Sequence, residues 1–310
     1  MNDITVIIPA YNAAAYLRES IESAQRALGS QRERIIVVDD GSTDSTFDEA
    51  RESGVRCIRH ASNRGISSAL NTGIAAAETK YVAWLSSDDL YTPEAGAVIS
   101  HYMNRYPDAD FYFGDYRQFN NHQEFFPPLV RFALGWDVDG LIEHDWFVDL
   151  VFGCFVNGAT TIVKRQTALE LGLFDTGILY SQDYAMWLLL TYHGYSSVYM
   201  NDVVGLRRIH ERQLSQQPAV RRAIIKENAL LITRFLDDET RARIDRRLTT
   251  APGPEYKHRV ELVKRFLHLR LYGEAQHTLF RSPQPALILG SLAIDVLKHV
   301  GRRVGTLLRD

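Results

Sequence analysis

Over its first hundred residues the chain alternates short β-branched runs with helical patterns, and this succession limits the possible folds more than any other feature. Thr5 to Ile8, Arg34 to Asp39, Val55 to Arg59 and Tyr81 to Leu85 read as strands. Between them Leu17, Ile21 and Ala24 fall at helical spacing, Asp44 to Glu52 follows the capping residues Ser42 and Thr43, and Ser67 to Ala77 reads as a third helix. Strands that alternate with helices predict an α/β fold with a mostly parallel, Rossmann-like central sheet flanked by helices. Ligands of such sheets bind outside the carboxyl ends of the strands. Pro9 to Asn12, Asp39 to Asp44 and Ser86 to Asp89 are therefore expected to line one cleft.

Beyond Pro93 a helix is predicted to about Arg105, a strand over Asp110 to Tyr116, and an irregular aromatic region to about Phe155. Thr160 to Val163 and Ser196 to Met200 read as strands, with helices over Arg165 to Leu171 and Ser181 to His193. After His210 the pattern is helical, broken at Pro252-Gly253-Pro254 and Ser282-Pro283. Charge divides in the same way: residues 1–215 carry −11 and residues 216–310 carry +8, within a net −3. Two parts are expected, an α/β domain over 1–215 and a helical C-terminal region over 216–310. At 45% hydrophobic and 24% charged, the composition is that of a chain with a packed core.

Two cysteines, Cys57 and Cys154, make no disulfide framework or zinc cluster and are expected to be buried thiols. An acid at Asp3 stands where a signal peptide needs basic residues, and no apolar run reaches the ~20 residues of a spanning helix. A cytoplasmic protein is expected.

Four constellations carry the chemistry. Asp39-Asp40-Gly41-Ser42-Thr43-Asp44 offers carboxylate acceptors and a glycine that lets backbone approach a ligand, which suits a nucleoside; read alone, it is equally a polar loop with a helix cap. Asp88-Asp89 places two carboxylates beyond a strand end, where hard cations such as Mg²⁺ or Mn²⁺ relieve their repulsion. Asp183 stands at a helix start, a place that favours an acid whatever its role. His210 follows Arg207-Arg208, a pair suited to phosphate or simply to water.

Taken in order, with TVIIPAYNAAAYL at residues 5–17, IIVVDDGSTDST at 35–46, Asn63-x-Gly65, Asn71-x-Gly73, the late Asp-Asp, the acid before Trp187-Leu188, and Arg208-x-His210 through Ser215, these elements resemble the family 2 glycosyltransferases. The resemblance covers roughly residues 3–215 and implies a GT-A fold and inverting transfer of a sugar from a nucleotide-diphosphate sugar, most often a UDP-sugar. By resemblance, Pro9, Tyr11, Asp39, Arg64 and Asp88 hold the nucleotide. Asp88, Asp89 and His210 hold a divalent ion, Mn²⁺ or Mg²⁺, and Asp183 is the general base. The implied setting is surface polysaccharide or glycolipid synthesis in the cell envelope, with a glycan or lipid-linked glycan as acceptor.

Two positions depart from the pattern. Leu85-Ser86-Ser87-Asp88-Asp89 has Ser86 where the family's metal motif commonly has an acid, and Gln182-Asp183 stands in place of Glu-Asp. The first departure keeps open an alternative, a sugar-nucleotide-binding protein with a degraded metal site and no turnover. An NAD-dependent enzyme is disfavoured, because no Gly-x-Gly-x-x-Gly follows the first strand.

The aromatics between Phe111 and Trp146, among them Phe125, Phe126 and Trp136, suit either a sugar-stacking surface or a core with a lid. Residues 286–308 place Leu289, Leu292, Val296, Val300 and Val304 on one helical face and mostly basic residues on the other. That pattern fits peripheral contact with an anionic membrane, and equally a helix packed on the protein. Arg241, Arg243, Arg246 and Arg247 read as a solvated face, and no nucleic-acid recognition motif accompanies them.

Overall fold

Ile4–Ala10 (β1) and Ile35–Asp39 (β2) are buried along their whole length. Such unbroken apolar strands need cover on both faces, which helices of a parallel sheet supply. The structure, a computed structural model, describes residues 3–29, 31–120, 144–211, 213–250, 255–285, 288–289 and 291–292. The further strands are β3 (Arg56–Arg59), β4 (Tyr81–Trp84), β5 (Leu90–Tyr91), β6 (Phe111–Phe119), β7 (Ile162–Lys164) and β8 (Ser197–Arg208). Interleaved with them are α1 (Leu17–Ala27), α2 (Thr46–Glu52), α3 (Ile66–Ala76), α4 (Ala95–Arg105), α5 (Trp146–Phe152), α6 (Arg165–Glu170) and α7 (Gln182–Tyr192). The helices α8 (Pro218–Phe235), α9 (Asp238–Thr250), α10 (Glu255–His268) and α11 (Tyr272–Phe280) follow.

The strands form one sheet in the order β3-β2-β1-β4-β7-β6-β8-β5. Pairs β1–β2, β1–β4, β2–β3 and β6–β8 are parallel, whereas β4–β7, β6–β7 and β5–β8 are antiparallel. The parallel character expected of the sheet thus holds for its first half and becomes mixed in the second. Two inversions, at β7 and again at β6, restore the direction of β8 to that of β1. The carboxyl ends of β1, β2, β4 and β8 and the segment leading into β7 consequently lie along one edge. Between β1 and β4 the strand order switches, the usual place for a ligand crevice.

Helix α3 packs closely on β1 because residue 73 is glycine: a Cβ there would lie 2.3 Å from Ile7 Cγ2. Under the sheet, Ile4, Val6 and Ile8 meet Leu17, Ile21 and Ala24 of α1 in one apolar cluster. Between β6 and β5, β8 runs eight residues past Met200, further than expected, because the long β6 offers it partners as far as Phe119. Cys57 is half-buried but Cys154 is exposed, so the expectation of two buried thiols fails for the second.

The chain divides into two compact units, Met1–Leu150 with Cys154–Arg221, and Val151–Gly153 with Arg222–Asp310. In the second, Val260, Val263 and Phe266 of α10 are buried. Arg241 is tied to Glu274 at 2.8 Å, so it belongs to a helix-to-helix ion pair and not to the solvated face expected of it. Arg259, almost wholly buried, pairs with Asp245 at 3.2 Å. The apolar face read over 286–308 falls almost wholly outside the described residues, as do Phe125, Phe126 and Trp136. No helix among the described residues is long and apolar enough to cross a membrane.

Candidate active site

The loops after β1 and β2 are bound to each other. Asn12, held at a left-handed φ of 49°, donates its backbone N–H to Ser42 Oγ at 2.9 Å and accepts the Thr43 N–H at 2.9 Å on its side chain. Ala13 N–H donates to Thr46 Oγ1 at 2.8 Å. Pro9 is buried in β1, and Tyr11 is 48% exposed at its end.

The two adjacent acids of the second loop have different tasks. Asp39 is fully buried; its Oδ1 accepts Ser42 N–H at 3.0 Å. Arg59 Nε lies 3.0 Å from Oδ2 as an ion pair, at an angle that leaves Oδ2 without a hydrogen-bond donor. Asp40 accepts the N–H groups of Arg64 and Gly65 at 3.0 and 2.7 Å and contacts His60 Nδ1 at 2.6 Å. It therefore fixes the 63–65 loop and leaves the Arg64 side chain exposed. Gly41 has φ +75°, and a Cβ there would lie 2.6 Å from the Ser62 carbonyl carbon.

The loop after β4 meets the end of β8. Asp88 Oδ2 faces His210 Nε2 at 3.1 Å. The His210 ring leans on Tyr16 at 4.9 Å, and its Nδ1 is buried without a hydrogen bond. Asp89 is buried, and its Oδ1 accepts the Arg208 N–H. Burial, and then the neighbouring Asp88 charge, push the Asp89 carboxyl up to about 8, against the pull of the Arg208 N–H and of both arginine charges.

Arg208 is itself buried, its guanidinium between the rings of Tyr16 and Phe119 at 4.8 and 4.6 Å. It donates from Nε to the Asp88 carbonyl at 2.9 Å and pairs with Glu19 at 2.6 Å. The sequence pointed this arginine toward phosphate or water; the fold commits it to holding the Asp88-Asp89 loop. An arginine next to a motif gives no sign of burial, because its partner Glu19 lies in α1.

Among the described residues no three His, Cys, Asp or Glu side chains converge as a metal cluster. Asp88 and His210 form a pair, one carboxylate and one imidazole, and that mixed donor set fits Mn²⁺ better than the all-oxygen preference of Mg²⁺. The Asp89 carboxylate is directed at Arg208 instead.

Asp183 occupies the first turn of α7, where the helix dipole favours negative charge. Its Oδ1 is shielded from solvent and accepts no hydrogen bond among the described residues. Burial pushes the carboxyl up to about 7, while the nearby Trp84 indole pulls it part of the way back. Trp84 ends β4, four residues before Asp88, so one strand end serves both parts of the site. The loop into α7 is anchored by a residue whose role the sequence left open: Asn71 of α3 donates to the Phe174 carbonyl and accepts the Phe174 N–H, both at 2.9 Å.

An α/β sheet with acids at its strand ends, an Asp–His pair where β4 and β8 end and a shielded carboxylate at the start of α7 are together the layout of a GT-A fold. The family model described as glycosyl transferase family 2 matches residues 5–152, a little under half of the chain, and over that segment the chain belongs to that family. An uncharacterized glycosyltransferase of Rickettsia typhi is 32% identical over 216 residues, which is 68% of this chain and 65% of that one. The chain thus spans a little under two thirds of that relative's length. The glucosyltransferase WfaP of Escherichia coli, named for UDP-Glc and α-D-GlcNAc-diphosphoundecaprenol, is 24% identical over 69% of this chain and 80% of its own. Among solved structures, S. aureus TarS 1-349 with UDP-GlcNAc has a TM-score of 0.59 at 14% identity, covering 93% of this chain and 80% of that one. The mannosyltransferase PcManGT from Pyrobaculum calidifontis, with GDP-Man and Mn²⁺, has a TM-score of 0.59 at 19% identity, covering 95% and 80%. At these identities the two structures establish the shared fold.

Proposed function

We propose that the protein is an inverting glycosyltransferase that moves a sugar from a nucleotide-diphosphate sugar, a UDP-sugar first among them, to an acceptor hydroxyl. The observation that carries this reading is Asp183, a carboxylate shielded at a helix start, raised to about 7 and without a hydrogen bond at Oδ1. A general base works best with an acid constant near the operating pH. Asp183 takes the proton of the acceptor hydroxyl as that oxygen attacks the anomeric carbon, and the bond from that carbon to the diphosphate breaks on the opposite face.

The donor side supports the same reading. Asp39 Oδ2 is a buried acceptor short of a donor, which suits a nucleobase N–H. Pro9 near the end of β1, Tyr11 just past it and Arg64 on the loop that Asp40 holds would complete the nucleotide site. Asp88 and His210 would hold a divalent ion, which supplies positive charge to offset the charge gathering on the leaving diphosphate. Asp89, through Arg208, keeps that loop in place.

The likeness to WfaP supports a lipid-linked diphosphate acceptor and a role in envelope glycan synthesis. In that setting the basic tail after residue 285 would rest on an anionic membrane surface from the cytoplasmic side. A chain ended at residue 284 would then bind anionic vesicles less than the full chain; equal binding removes the membrane role.

The reading is tested by incubating the protein with a panel of UDP- and GDP-sugars and Mn²⁺, comparing it with Asp183→Asn. Sugar transfer or donor hydrolysis that the variant lacks supports it. Donor binding with no turnover by either protein favours the non-catalytic sugar-nucleotide-binding alternative.

A further inference from the structure

Trp84 and Asp183 reach one point from two separate elements, and residue 158 lets them. A Cβ placed on Gly158 would lie 2.7 Å from Trp84 Nε1 and 3.0 Å from Asp183 Oδ2. Gly158 does not have a left-handed φ, so glycine is needed there for space and not for backbone freedom. Trp84 is 3% exposed, yet its Nε1–H makes no hydrogen bond among the described residues. A buried donor left so is costly, because it has given up water and gained no acceptor. The indole cannot easily turn elsewhere, because Phe174 meets it edge-on at 5.1 Å and Asn71 grips Phe174 through its backbone.

We infer that the Trp84 indole N–H is the positioning donor for Asp183: it engages one carboxylate oxygen once the group is ionised and leaves the other aimed at the acceptor hydroxyl. The inference rests on the reading of Asp183 as the base. A neutral donor suits that task. A lysine or arginine in its place would hold the carboxylate as an ion pair and weaken its proton affinity, whereas an indole fixes the geometry with a smaller electrostatic effect. Among the described residues, Trp84 is the one side chain that, besides burial, acts on the Asp183 carboxyl; no charged group of β4, of residues 158–160 or of α7 does so. Gly158 then keeps the space between donor and carboxylate open.

The chain has four tryptophans, so an indole-¹⁵N-labelled sample of the full protein gives four ring N–H signals at most. These are followed from pH 5 to 9 in the wild type, Asp183→Asn, Gly158→Ala and Trp84→Phe, the last serving only to assign the signal. The Trp84 signal is expected to move downfield with a midpoint near 7, to stay still in Asp183→Asn, and to lose most of its movement in Gly158→Ala. A Trp84 signal that does not titrate, or titrates equally in Asp183→Asn, overturns the inference. Should Trp84→Phe not fold, the signal that stops titrating in Asp183→Asn identifies itself, and the absence of any such signal is again decisive against. No turnover is needed for this readout. A protein that transfers sugar while its indole stays silent loses this inference alone, and one that titrates as expected without transferring sugar keeps the Trp84–Asp183 hydrogen bond but loses the functional reading and the aim toward an acceptor hydroxyl that rests on it.

Discussion

The backbone N–H of Arg208 donates to the Asp89 carboxylate at 2.9 Å, so the end of β8 sets the position of the loop after β4. Arg208→Lys keeps the charge but loses the fork that reaches both Glu19 and the Asp88 carbonyl. We expect Arg208→Ala to cost about 2 kcal/mol in urea unfolding, below the usual range for a broken buried pair because Glu19 is exposed. Both variants are expected to weaken Mn²⁺-dependent UDP binding in calorimetric titration. Unchanged binding by Arg208→Lys would show that the loop does not depend on this anchor.

Asp183→Asn is expected to lower transfer by about 10²–10⁴-fold, the usual contribution of a positioned acid or base. Its effect on stability has the opposite sign. A carboxyl raised in the native state stabilises the fold at pH values below its ordinary constant, and that contribution is lost as pH rises to about 7. At pH 8 the wild type carries the cost of a shielded charge and the variant does not, so Asp183→Asn is expected to melt higher there, on the order of 1 kcal/mol. Thermal scans at pH 5 and pH 8 check this: a difference that is equal at both, or largest at pH 5, contradicts it. For the wild type, kcat/KM should rise with pH and level off above about 7.

Gly41→Ala meets two obstacles together, a φ of +75° and the Ser62 backbone at 2.6 Å. Backbone cannot yield as a side-chain end can. A loss of about 2–3 kcal/mol is expected, along with weaker nucleotide binding, because the loop shift reaches Asp39 and Asp40. A crystal structure of the variant with the 39–44 loop unmoved would contradict the second effect.

Asn71→Leu removes both hydrogen bonds to Phe174 while keeping a side chain of similar size. Amide exchange across residues 171–181 is expected to quicken, and kcat to fall more than donor affinity, because the loop leads into the helix that bears Asp183, the proposed base, and not to the loops proposed for the nucleotide. Equal losses in both would place Asn71 in general stability instead.

The strand ends that bear Asp39 and Asp88 were readable because each follows an unbroken apolar run, and four such runs in succession leave few alternatives to a parallel sheet. Strands β5 and β7 were harder, since two or three residues carry no periodicity; only Thr160 to Val163 hinted at β7. The sequence also could not separate Asp39 from Asp40. One is ion-paired with Arg59 yet takes no hydrogen bond at Oδ2, and the other is consumed by His60, Arg64 and Gly65, a division made by chain segments about twenty residues downstream. Arg208 was misread for the same reason, since burial of a charge depends on partners that only the fold brings near.

Asn12 spends an unfavourable left-handed backbone to cross-link the first two loops. The consequence is thermodynamic. On the proposed reading, a nucleoside entering between those loops finds them already cross-linked, so its binding loses little conformational entropy from the protein there. Relaxing Asn12 to serine would transfer that ordering to the moment of binding, and its mark would be a more negative binding entropy with the contacts to the nucleoside unchanged.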